Sequence, residues 1–166
     1  MAYFRVKGAD EYAEKVKKLS KNADKIIKRA VYDGGGVVAD AVKQGLNDLP
    51  IQEGKNGMPP YARKGEVLTG VSSRQKKDLM ESMGLAPIQE LKLGYINTKL
   101  GFDGYGSIPT RKYPKGVPNQ MLMRSIESGT SFRKKNAVVR KSVNGARKKA
   151  VKTMGETIDE ELRKEI

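Results

Sequence analysis

The stretch from Asn22 to Leu49 constrains the fold more than any other. Apolar or small residues at Ile27, Val31, Gly34, Val38, Ala41, Gly45 and Leu49 recur in steps of three and four. That spacing places side chains on one stripe of an α-helix. Ile26, Ala30, Val37, Val42 and Leu46 widen the stripe, and Lys25, Lys28, Arg29, Asp33, Asp40 and Lys43 fall mostly opposite it. Asn22 supplies an N-cap and Pro50 a stop. Gly34-Gly35-Gly36 set the difficulty, because each glycine in a helix interior costs roughly 1 kcal/mol relative to alanine. The helix either recovers that loss by close packing of another backbone or bends at the triplet. We read it as continuous, with a break as the alternative, and expect the other elements to pack on it.

Composition narrows the class. At 166 residues with 37% hydrophobic residues and no Trp, the chain supports one domain with a modest core and an elongated shape. It has no Cys, which removes disulfides and thiolate chemistry, and no His, which removes the commonest general base and metal ligand. No signal peptide and no apolar run of membrane-spanning length is present, so the expectation is a soluble intracellular product without membrane association. The net charge of +14 is uneven: Gly104 to Gly155 holds thirteen basic residues against one acid, Glu127, a local surplus of +12. Such a surplus is either a solvated lysine-rich surface or a patch that faces nucleic acid or an acidic protein.

Taken in order, Tyr3 to Lys7 alternates as a short edge strand. Asp10 caps a helix to about Leu19, and Ser20 to Asn22 turns into the long helix as a helical hairpin. Residues 50–67, with Gly54, Gly57, Pro59, Pro60 and Gly65, read as a mobile loop. Ser72 and Gln75 fit a capping box for a helix to about Met83, ended by Gly84. Glu90 to Phe102 reads as a hairpin turning at Gly94, and 104–118 as an extended basic loop. Asn119 to Ser128 is a short helix with Met121, Leu122 and Ile126 inward. Phe132 to Lys141 is a connector. A last helix over about 142–164 carries the stripe Val143, Ala146, Ala150, Met154, Ile158 and Leu162. Its first half is basic (Arg147, Lys148, Lys149, Lys152) and its second acidic (Glu156, Asp159, Glu160, Glu161, Glu165). Acids near a helix C-terminus oppose the dipole, so these are either plainly solvated charges or an end that a neighbour's basic surface would suit. The sum is an α+β fold, long N- and C-terminal helices packed with a small antiparallel sheet, in a single domain over 1–166.

No catalytic constellation emerges. Gly34 to Gly36 lack the Lys and Ser/Thr of a phosphate cradle. Ser73 and Lys76 form a chance S-x-x-K, lacking the companion motif of a serine acyl-enzyme, and Ser72 with Gln75 already explains the local sequence. Carboxylates are scattered, so we assign no catalytic residue, no metal and no cofactor. Tyr105, Tyr113 and Phe132 interleave with Arg111, Lys112, Arg133, Lys134 and Lys135, a mixture that suits contact with a nucleic-acid backbone without sequence reading. The patch taken as facing DNA or a partner is Arg111, Lys112, Lys115, Arg133, Lys134, Lys135, Arg140 and Lys141.

Three runs carry a family resemblance: Gly101-Phe102-Asp103-Gly104-Tyr105-Gly106; Lys112-Tyr113-Pro114-Lys115-Gly116 with Pro118-Asn119-Gln120; and Ser125-Ile126-Glu127-Ser128-Gly129-Thr130-Ser131-Phe132-Arg133-Lys134-Lys135. In these the chain resembles the tail-completion, or head–tail joining, proteins of long-tailed double-stranded DNA phages, with which the Z-type minor tail protein of phage lambda is grouped. It departs from the pattern at Ala137-Val138, where relatives often have Pro-Phe. Gly101, Phe102, Gly104, Tyr105, Glu127, Gly129 and Thr130 are the motif positions, with structural roles. The resemblance implies a non-enzymatic virion protein at the head-proximal end of the tail, present in the host cytoplasm during assembly. It also implies a homo-oligomeric ring whose partners are other neck and tail proteins: the tail terminator, the head-completion ring, the tape measure, and the end of the packaged DNA. The alternative is a sequence-nonspecific DNA-binding accessory protein, and a hydrolase built on Ser73 and Lys76 is a remoter one.

Overall fold

The glycine triplet does not break the helix. In the computed structural model, which describes residues 9–92 and 95–165, with side chains from residue 14, α1 runs unbroken over Ala9–Asn47. The predicted turn at Ser20 to Asn22 is absent. Those residues include neither Gly nor Pro, so Asn22's capping tendency alone does not stop a helix flanked by helix formers. The proposed strand Tyr3 to Lys7 lies outside the described residues.

What replaces the lost glycine stability is contact with the last helix, α4, Val138–Glu165. A Cβ on Gly34 would sit 2.3 Å from Met154 Cε, and one on Gly45 would sit 2.5 Å from Ser142 Oγ. Three helical turns separate Gly34 from Gly45, so both open the same face of α1. Asp33 accepts a 2.9 Å hydrogen bond from Thr157 Oγ1, and Arg29 Nη1 lies 2.8 Å from Glu161. The pairs run in opposite directions along the two helices, which therefore pack antiparallel. Gly35 faces another element: its Cβ would lie 3.1 Å from Leu85 and 3.3 Å from Thr98.

The deepest side chains of α1 are Ile26, Ala30, Val42 and Leu46, joined by Leu49 just past its end, whereas Ile27 is exposed. The buried stripe is thus rotated from the one centred on Ile27, because α4 and the core approach from two sides of the glycine face. Leu46 and Val42 are fully enclosed, joined by Val71, Leu79, Met83, Leu122, Met123 and Ile126. Each such aliphatic side chain stabilises the fold by about 1.5–3 kcal/mol. The core therefore sits where the C-terminal half of α1 meets α2 and α3.

After α1, a short 3₁₀ turn (Lys55–Gly57) precedes α2, Ser73–Ser82. The expected capping box is present: Ser72 Oγ accepts from Gln75 N and Gln75 Oε1 from Ser72 N. The helix stops at Ser82 rather than Met83. Met83–Leu85 is a strand, β1, and Gly84 takes no left-handed conformation. β1 pairs antiparallel with β4, Leu100–Phe102, setting Met83 opposite Phe102 and Gly84 opposite Gly101. β2, Gln89–Lys92, pairs antiparallel with β3, Tyr95–Asn97, so the hairpin expected over 90–102 forms only as far as Asn97, Leu100–Phe102 pairing with β1 instead; the turn residue Gly94 lies outside the described residues. The return strand is interrupted at Thr98, whose hydroxyl donates to the Ala86 carbonyl. Two small antiparallel sheets result, laid along α1. α3, Asn119–Ser128, buries Leu122, Met123 and Ile126. Met121 turns outward, against expectation, and its Sδ lies 3.3 Å from the Tyr113 hydroxyl.

Candidate interaction surface

The connector between α3 and α4 is built rather than slack. Gly129 ends α3 with φ +75°. Thr130 and Arg133 close a tight turn by mutual backbone hydrogen bonds of 3.0 and 3.3 Å, and Phe132 N donates to Thr130 Oγ1. Leu68 N donates to Phe132 O and Lys134 N to Leu68 O, which fixes the run beside residues 68–70. Asn136 N then returns to Ile126 O. α4 begins at Val138, four residues before the predicted start. The cause is Glu127: its two carboxylate oxygens accept from Val139 N at 2.9 Å and Arg140 N at 3.0 Å. A side chain of α3 thus caps α4, where unsatisfied amides and the helix dipole favour a carboxylate.

Arg133 does not belong to the exposed patch. Only 7% of it is accessible, and Nη1 donates 2.6 Å to the Gly70 carbonyl. Burial withholds water from the guanidinium and lowers its pKa from the ordinary arginine value. Its role is to lock the connector onto residues 68–70. The sequence offered no sign of this, since a buried Arg inside a basic run looks like its neighbours. Lys134, Lys135, Arg140 and Lys141 are exposed, and among the described residues they form no ion pair.

The 104–118 loop carries the rest of the patch. Its base is closed by Gly106 N to Val117 O (2.8 Å) and Asn119 N to Gly104 O (3.0 Å). Gly104 has φ +68° and Gly116 φ +95°; a Cβ on Gly116 would lie 1.8 Å from the Gly106 carbonyl oxygen, so the neck of the loop requires glycine there. Asp78 of α2 accepts both Ser107 N (2.8 Å) and Ser107 Oγ (3.0 Å). A turn between Thr110 and Tyr113 presents Arg111, Lys112 and Lys115 to solvent, with Lys112 Nζ 5.5 Å from the Tyr113 ring centre.

Where β4, α3 and the start of α4 meet, a groove of about 390 Å³ opens. Phe102, Met123, Val139 and Val143 supply apolar wall, with Arg124 and Arg140 at its border. Of the motif positions, Phe102 lines this groove, Gly101 pairs with Gly84, Tyr105 bridges to Pro118 and is exposed, and Glu127 is the cap.

Residues 50–67 form the expected loop, with both flanks tied. Gln52 Oε1 accepts from Thr69 N and Gly70 N, and Gln52 N and Val71 N exchange hydrogen bonds with Val71 O and Pro50 O. Glu53 accepts from both Ser73 N and Ser73 Oγ at the start of α2. The hydroxyl bond, then the amide bond, lowers the Glu53 pKa from the ordinary glutamate value. Ser73 is thereby engaged with Glu53, and Lys76 Nζ donates to the Leu49 carbonyl, so the S-x-x-K pair serves two different helix ends. Among the described residues no cluster of three metal-ligating side chains occurs, and no helix is long and apolar enough to cross a membrane.

The acids of α4 find part of their neutralisation within the chain. Glu161 meets Lys164 and Arg29, and Glu165 lies 3.7 Å from Lys18. The hydrogen bond from Lys164 is the largest influence holding the Glu161 pKa down, against partial desolvation and aided by Arg29. Comparison with protein-family models, with curated proteins and with solved structures returns no match.

Proposed function

We propose that this chain is a structural protein of a phage virion that completes the head-proximal end of a long tail and makes it competent to join the head, acting in several copies without catalysis. The observation that carries the reading is the run Gly101 to Lys135. Its residues combine the motif wording of the tail-completion proteins with definite folding roles: Glu127 caps α4, Gly129 and Thr130 set the turn, and Gly104 opens the basic loop. That scaffold carries Arg111, Lys112, Lys115, Lys134, Lys135, Arg140 and Lys141 as exposed cations without an acidic partner among the described residues. They would face DNA entering the tail or an acidic neighbouring ring.

The test is complementation. Purified protein added to a lysate of heads and tails lacking it restores infectious particles, and a variant with Arg111, Lys112 and Lys115 changed to Glu does not, while keeping its melting temperature. Full restoration by that variant sinks the role given to the loop. The same cations also favour a sequence-nonspecific DNA-binding accessory protein. Such a protein binds duplex DNA as an isolated chain, with affinity falling steeply as salt rises.

A further inference from the structure

The first half of α4 is charged against its own helix. Arg140 and Lys141 stand in the first turn and no acid does, although the dipole favours acids there. Between Glu127 and Glu156 the sequence holds nine basic residues and no acid. Six of the nine lie on α4 and are exposed: Arg140, Lys141, Arg147, Lys148, Lys149 and Lys152. Lys141, Lys148 and Lys152 follow steps of seven and four, which sets them in one row on the side away from the buried Ala146, Ala150 and Thr157. Arg140 and Arg147 flank that row on one side and Lys149 on the other. A solvated helix gains from opposite charges one turn apart. Here, among the described residues, Lys152 alone of the six has an ion pair, with Glu156 at 3.7 Å. Lys148 and Lys152 are four residues apart, a like-charge spacing that weakens a helix. The row therefore costs the fold stability, and an anion from outside the chain would relieve it.

We propose that this half of α4 is a contact surface for duplex nucleic acid, held through its phosphates without sequence reading. Arg140 to Lys152 spans about 18 Å of helix. A duplex carries one negative charge per about 1.7 Å of its axis, so phosphates along that length outnumber the cations. α4 contains no aromatic residue and so offers no stacking platform for the bases of a single strand. A protein neighbour fits less well. Interface cores are poor in Lys and rich in aromatic residues, whereas this face has four lysines, with Val151 as its exposed large apolar side chain. Asn144 and Gly145, both exposed, keep the profile low between the cations. Exposed Glu156, Asp159 and Glu160 repel phosphates and end the contact at Lys152. The four cations from Arg147 to Lys152 lie outside the patch taken from the sequence. The proposal stands apart from the tail reading, because binding by the isolated chain is measured without heads or tails.

Fluorescence anisotropy of a labelled DNA duplex of about 20 base pairs, titrated with the full chain between about 50 and 200 mM salt, tests this. Circular dichroism verifies helix content. For the wild type, the logarithm of affinity should fall against the logarithm of salt with a slope of about −4 to −5, as five or six phosphate contacts require. Lys141→Glu/Lys148→Glu/Lys149→Glu should reduce that slope by about 3 and weaken binding by more than about tenfold. The milder Lys148→Gln should reduce it by about 1. Lys15→Glu/Lys17→Glu/Lys21→Glu makes the same change in net charge on exposed positions of α1, near the acidic end of α4, where Lys18 meets Glu165. It should stay within about threefold of wild type, since screening confines the effect of distant charges. Absence of wild-type binding up to about 100 μM chain at the lowest salt overturns the proposal. So do equal losses in the α4 and α1 triple variants. Binding of poly-L-glutamate but not of the duplex would overturn it in favour of an acidic protein surface.

Discussion

Truncating Glu127 to alanine isolates the device that starts α4. The carboxylate receives two backbone amides, from Val139 and Arg140, at 2.9 and 3.0 Å. Loss of a capping acceptor costs about 0.5–2 kcal/mol. An acid near a helix N-terminus adds about 0.3–1 kcal/mol through the dipole. The cap is half-buried and bidentate, which places the combined loss for Glu127→Ala at about 1–2 kcal/mol. In a domain of this size each kcal/mol moves the melting temperature by about 2–4 °C, so a fall of roughly 3–6 °C is expected. Glu127→Gln keeps one acceptor oxygen and should lose about half as much. Glu81→Ala, which removes only an exposed pair with Lys77 at 3.8 Å, should stay within about 0.5 kcal/mol of wild type. Urea unfolding followed by far-ultraviolet circular dichroism measures all three. If Glu127→Ala unfolds at the same midpoint as Glu81→Ala, the cap does not hold α4 and its early start needs another cause.

Three further outcomes follow from the packing. Gly36→Ala should stabilise by up to about 1 kcal/mol, since its Cβ meets nothing, whereas Gly34→Ala should show no such gain because its Cβ would strike Met154; thermal melts of the pair decide it. Arg133→Ala should destabilise by about 1–3 kcal/mol by leaving the buried Gly70 carbonyl unsatisfied, while Lys134→Ala stays near neutral in the same urea titration. Glu53 contributes to acid sensitivity. Its folded pKa lies below its ordinary value, so its contribution is complete above the normal glutamate range and is lost as pH falls through the lowered value. The acid limb of a stability–pH curve should therefore flatten in Glu53→Gln, and an unchanged limb contradicts the assignment.

The elements were legible where a local rule sufficed. The Ser72–Gln75 box, the period of α1 and the alternation of 89–97 each depend on neighbours in sequence. What escaped depends on partners far along the chain. Met83–Leu85 extends α2's pattern in sequence, yet it becomes a strand because Leu100–Phe102 supplies its hydrogen bonds. The start of α4 was misplaced because its cap comes from Glu127 on another helix, eleven residues before Val138. Of the basic patch, the loop and connector cations do reach solvent, but Arg133 turns inward to Gly70, and charge counting cannot distinguish it from Lys134. The expected help for the acids of α4 was sought in a second subunit. For Glu161 and Glu165 it comes from Arg29, Lys164 and Lys18 of the same chain, whereas Asp159 and Glu160 form no ion pair among the described residues.

The most direct measurement of the functional claim is electron microscopy of a lysate from a phage whose copy of this gene has been deleted. The account predicts DNA-filled heads lying beside separate tails of complete length. Normally joined virions would contradict it and move the DNA-binding reading to the front.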